Sequence, residues 1–154
     1  MRLRLFAALL AFPLLTACTT YVTVTSDPEG AVITDADGRV TYGYAPVDVS
    51  YDRKMLEADR IPGRCATVPG FRAKWPSGAE TGTPERVDVC DLQYGATVKL
   101  TRPADAPDLE KDLRWALERA QERVKAAEAE RDRLQLYLDN RFFWGPGWVF
   151  GFPR

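Results

Sequence analysis

Thirty-two consecutive residues, Asp108 to Asp139, contain neither glycine nor proline and are rich in Ala, Leu, Glu and Arg. Such a run is helical on intrinsic propensity alone, and at ~1.5 Å per residue it extends about 48 Å. A small domain cannot wrap an element of that length, so part of its course is expected to protrude. Asp105 is the expected N-cap, with Asp108, Glu110 and Asp112 complementing the helix dipole. Leu109, Leu113, Ala116, Ala120, Val124, Ala127, Leu134 and Leu138 recur at steps of three, four or seven. They form a narrow apolar stripe, which Arg131 interrupts. A thin, alanine-rich seam suits close contact with another helix, in a homo-oligomer through residues 108–140 or on a protein partner. The other reading is a helix lying back over its own sheet.

Most of the chain between residue 18 and the Pro103–Pro107 linker reads as β-structure. Residues 21–26, YVTVTS, alternate apolar and polar, placing Val22 and Val24 on one face and Tyr21 and Thr23 on the other. A turn at Asp27-Pro28-Glu29-Gly30 leads to a strand at Ala31–Thr34. Asp35–Gly38 is a hairpin connection, and Arg39–Tyr42 returns. Val47–Tyr51 alternates again with its valines inward, and a short helical turn is expected around Lys54–Asp59. Further strands are expected at Phe71–Trp75, Arg86–Cys90 and Ala96–Leu100. Between the first two of these, Pro76–Pro84 reads as a loop reaching out from the sheet. Arg72 and Trp75 beside it are a candidate contact surface for glycan or peptide, although Trp75 reads equally well as core.

The N-terminus carries an address. Arg2 and Arg4 precede an apolar run from Leu5 to Leu15, and Leu15-Thr16-Ala17 leads into Cys18. This is the charged start, short apolar core and small-residue junction of a secretory signal. The junction resembles the lipobox of bacterial lipoproteins. That resemblance implies cleavage of residues 1–17, lipid on Cys18, and a membrane tether of lipid rather than a spanning helix. In Gram-negative lipoproteins an aspartate after the cysteine retains the protein in the inner membrane. Thr19 stands there instead, which for a Gram-negative source implies the outer membrane, facing the periplasm. The processed chain keeps 19 basic and 22 acidic residues, a balance that argues against nucleic acid as a partner. In an oxidising compartment Cys65 and Cys90 are expected to pair as a disulfide; the rival, a metal or thiol site, would lack histidine, which the chain does not contain.

Ser26-Asp27-Pro28-Glu29-Gly30-Ala31-Val32, followed by Gly43-Tyr44-Ala45-Pro46-Val47, resembles the PEGA domain. That family is a small β-sandwich module found in envelope-tethered proteins, and the resemblance implies an interaction role without catalysis. It covers about residues 20 to 52. Ala45 stands where the family usually has threonine, and Gly70-Phe71 resembles a later glycine-aromatic strand of the family.

Little catalytic chemistry is legible. Without histidine there is no ordinary general base near neutral pH, and none of Ser26, Ser50 and Ser77 lies in G-x-S-x-G. Asp35-Ala36-Asp37-Gly38 carries letters of a calcium loop, but Ile33 and Tyr44 occupy the positions of its first and last ligands. No cofactor is expected. Residues 141–154 hold six aromatics and no acid, with Trp144, Trp148 and Phe150 as candidate contacts. Such a segment adds to a sheet edge, settles at a membrane interface or folds back on its own domain. The expected architecture is mainly β: a signal at 1–17, a small antiparallel β-sandwich at 18–102, a linker at 103–107, a long helix at 108–140 and an aromatic tail.

Overall fold

The computed structural model describes residues 19–143, with side chains to Leu138. Cys18, Trp144, Trp148 and Phe150 lie outside the described residues. Nine strands and two helices follow in order: β1 (Thr19–Asp27), β2 (Val32–Asp35), β3 (Thr41–Tyr44), β4 (Val47–Asp52), α1 (Arg53–Ala58), β5 (Ala66–Pro69), β6 (Phe71–Lys74), β7 (Glu80–Gly82), β8 (Arg86–Val89), β9 (Ala96–Thr101) and α2 (Leu109–Phe143). The chain is a mainly-β domain with one long C-terminal helix. No described helix is long and apolar enough to cross a membrane.

The strands form three sheets, ordered β4-β1-β9, β3-β2-β6-β7 and β5-β8. All pairings are antiparallel except one: β1 runs parallel to β9, with Val22 opposite Ala96 and Asp27 opposite Thr101. An all-antiparallel sandwich was the sequence expectation. A parallel pair needs a long connection, and here the connection is everything from β2 to β8. The core is shared by the sheets: Val22 and Leu100 from the first, Ile33, Phe71 and Ala73 from the second, Val68 and Val89 from the third. Val22, Val24, Ile33 and Ala73 are fully buried, as period-two alternation requires.

Local chemistry explains the connections. Asp52 caps α1 by accepting from the amides of Lys54 (2.8 Å) and Met55 (3.3 Å), and Leu56 turns inward. Between β5 and β6, a Cβ on Gly70 would lie 2.1 Å from the Pro84 carbonyl oxygen, so only glycine fits where these segments cross.

Three short strands depart from the sequence expectation: β3 runs from Thr41 to Tyr44 where Arg39–Tyr42 was expected, and β5 and β7 add to it. β5 lies ahead of Phe71, where no individual strand was assigned from the sequence. Glu80–Gly82 lies inside the expected Pro76–Pro84 excursion but pairs with β6, setting Gly82 opposite Arg72, so the segment is a hairpin folded onto the sheet. Cys65 and Cys90 are joined, with Cα atoms 4.2 Å apart. They flank the Ala66–Val89 end of the β5–β8 ladder and so tie off that two-stranded sheet. Replacing both with serine is expected to cost roughly 3 kcal/mol through the freed denatured chain. That is a fall in Tm on the order of 10 °C by thermal circular dichroism; a change under about 2 °C would overturn the assignment of a stabilising role.

Candidate functional site

The sheet domain and α2 meet at a site built on the segment Ser26–Ala31. Its geometry is set internally. The Ser26 hydroxyl donates to the Pro28 carbonyl (2.9 Å) and accepts from the Ala31 amide (3.2 Å), while the Gly30 amide donates to the Ala45 carbonyl (3.1 Å). From below, the Trp75 indole N–H donates to the same Pro28 carbonyl at 2.8 Å. From above, the Trp115 indole N–H of α2 donates to the Gly30 carbonyl at 2.9 Å. Gly30 has φ +89°, and a Cβ there would sit 3.2 Å from the Trp115 ring. The conformation therefore favours glycine, and a side chain there would press on the Trp115 ring. The string that resembles the PEGA motif is the seat of the helix.

Around Trp115 the contact is aromatic and cationic. Its ring lies 5.7 Å from that of Tyr44, and the Arg119 guanidinium stands 4.5 Å over the Tyr44 ring centroid. Arg123, one turn further, pairs with Glu29.

The first turn of α2 is held by a buried charge. Asp112 is 0 % exposed. It accepts from the Ser77 amide (2.8 Å), the Ser77 hydroxyl (2.6 Å) and Arg102 Nε (2.6 Å). The Arg102 side chain is 3 % exposed, and its remaining nitrogens donate to the carbonyls of Pro103 and Pro107. Burial pushes the Asp112 carboxyl up, but the Ser77 hydroxyl, Arg102 and the Ser77 amide outweigh it and hold the group below its ordinary value of 3.8. A buried ion pair is a poor source of net stability, yet a complete one fixes geometry because no alternative arrangement satisfies both charges. Here it ties the linker, the β6–β7 hairpin and α2 together.

The residues singled out from sequence are separated by this arrangement. Trp75 is 1 % exposed and its ring belongs to the core. Arg72 is exposed on the opposite face of the same sheet, because Phe71, Ala73 and Trp75 alternate inward while Arg72 and Lys74 alternate outward. No surface unites Arg72 with Trp75, and the Trp75 ring has no free face on which a sugar or peptide could stack. Asp105 does not cap the helix either: α2 begins at Leu109, directly after Asp108, which takes φ +60°. Asp112 does more than complement the dipole.

Sequence reading missed Trp115. The signal was there: a lone tryptophan among Arg114, Glu118 and Arg119 on an otherwise Ala/Leu helix is poorly placed for water. Its face of α2, through Asp112, Ala116, Arg119 and Arg123, is the docked one. Ala116 lies on that face by helical position, and the free apolar seam passes through Leu117. The seam then reads Leu113, Leu117, Ala120, Val124, Ala127, Arg131, Leu134 and Leu138, in unbroken alternation of steps of four and three. Its five branched residues are 51–59 % exposed. Every described side chain from Gln121 to Leu138 is exposed.

A separate groove of about 440 Å³ lies between α1 and the β5–β8 sheet. Tyr51, Met55, Leu56 and Val68 are among its walls, and Asp59, Glu85 and Arg86 stand around them. Burial, and next to it Tyr42, pushes the Tyr51 phenol above its ordinary range. Compared with protein-family models, curated proteins and solved structures, the chain has no significant match.

Proposed function

We propose that this protein is a lipid-anchored component of the bacterial cell envelope, held at the outer membrane and facing the periplasm, whose role is assembly rather than catalysis. In this reading Cys18 carries the lipid and the PEGA-like sheet domain is a rigid mount. The free length of α2 is the part offered to another protein. One observation carries it: among the described residues α2 is clamped to the domain between Asp112 and Arg123, while a regular apolar seam continues, exposed, to Leu138. A soluble protein gains nothing from an isolated helix bearing an exposed leucine seam, because helices of this kind draw their stability from packing.

The test uses cells expressing the full chain and a chain lacking residues 124–154, a deletion that leaves every docking contact of α2 in place. Palmitate labelling is expected on both and is lost in Cys18→Ser. The detergent-extracted full chain is expected in an assembly whose size collapses on the truncation. No labelling overturns the anchor; equal assembly size for the two chains, after allowing for the deleted mass, overturns the role of the helix.

A further inference from the structure

We infer that the occupant of the α2 seam is a second copy of this chain, paired antiparallel about a two-fold axis between Lys125 and Ala126. The inference rests on the reading of α2 as an association element and specifies its partner. The seam lies about 90° round the helix from the docked face, at 3.6 residues per turn, so the domain to which α2 belongs does not cover it. It runs through nearly four heptads, the length at which an isolated repeat becomes a credible coiled coil.

Self-pairing follows from how the seam is written. A two-fold interface is self-complementary: if one residue meets another across it, the reverse contact is made as well. In the antiparallel register, leucine meets leucine at both ends, Leu113 with Leu138 and Leu117 with Leu134. At the centre, Val124 meets Ala127. The charged position also finds room: Arg131 falls opposite Ala120, whose small side chain leaves its stem space to lie flat with the guanidinium at the edge. On the flank, Glu130 of one copy approaches Arg123 of the other, whose guanidinium it would share with Glu29 of the dock, and no like charges are opposed. In a parallel register Arg131 would instead face Arg131 of the other copy inside the seam, a like-charge contact. Arg131 is therefore the residue that selects orientation, as single polar seam positions do elsewhere. It is free to do so: its present contact is with the adjacent Asp132 on the helix surface.

The experiment uses the full chain with Cys18→Ser, purified alone. Light scattering is expected to give twice the chain mass, returning to the single mass in Leu134→Asp. Leu117→Cys and Leu134→Cys variants, each oxidised alone, should give little cross-linking; mixed, they should give a 117–134 disulfide between copies. A monomer at all concentrations overturns the inference. If the cell-extracted assembly still collapses on truncation in that case, the association reading stands and the partner is a different protein. A dimer in which Leu117→Cys cross-links to itself overturns the antiparallel register while leaving self-association intact. An open-ended mass distribution overturns the closed two-fold pair.

Discussion

Asp112→Ala is expected to destabilise the folded chain by about 3–5 kcal/mol, because it strands the Arg102 guanidinium in a dry site with one acceptor removed. Urea unfolding reads the loss, and amide exchange locates it: protection should fall first along residues 109–123, the clamped part of α2. A loss below about 1 kcal/mol would show that water reaches Arg102 and that the pair is not the clamp. Replacing both charges at once, Arg102→Met with Asp112→Leu, is expected to recover most of the stability, since apolar substitutes for a buried pair are often neutral or better. The native pair also predicts a direction with pH. The folded-state carboxyl lies below its unfolded value of 3.8. Its contribution is therefore complete at neutral pH and is lost only as the pH falls through the folded value, below the ordinary carboxylate range. Asp112→Asn should erase that acid dependence.

Trp75→Ala is expected to cost a further large amount, about 3–5 kcal/mol, from the cavity left by a fully buried indole. It also leaves the Pro28 carbonyl without the N–H that now reaches it at 2.8 Å. The consequence is predicted at a distance: the Ser26–Ala31 segment loosens, and with it the seat of Trp115. Trp75→Phe separates the two effects, since it fills most of the volume and removes only the hydrogen bond, a loss of about 1–3 kcal/mol if the carbonyl stays dry. The readout is the urea midpoint of each variant, with exchange at residues 109–123 as the remote marker. Equal protection of α2 in Trp75→Ala and the native chain would disconnect the core from the dock.

Alternation made β1, β4 and β9 legible, and β2, β6 and β8 were legible from their β-branched and apolar residues beside turn signals. β5 and β7 escaped for a physical reason. Ala66–Pro69 alternates inward and outward but is only four residues long and ends on proline, and Glu80–Gly82 is three residues ending on glycine, so neither stands out locally; their pairing comes from neighbours supplied by the rest of the fold. The parallel placement of β9 beside β1 is a contact across the whole domain, which local pattern does not encode. The helix was legible from composition, its docked face was not. Asp112 looked like an N-terminal acid, and its true partners, Ser77 and Arg102, are brought to it by the hairpin and the linker. Trp75 had two readings on sequence grounds, and burial selects the core.

Beyond Arg123, α2 continues for another 20 residues to Phe143, about 30 Å at 1.5 Å per residue. A rod clamped at one end works as a lever, and small errors at the fulcrum are multiplied at the tip. A tilt of about 10° at the dock sweeps the far end by about 5 Å, the rise of a full helical turn. The ion pair of Arg102 and Asp112, the Trp115 indole on Gly30 and the Arg123–Glu29 pair hold the rod at three levels along its axis. Their effect is to aim it: whatever meets the end of α2 does so at a bearing set by the Ser26–Ala31 turn.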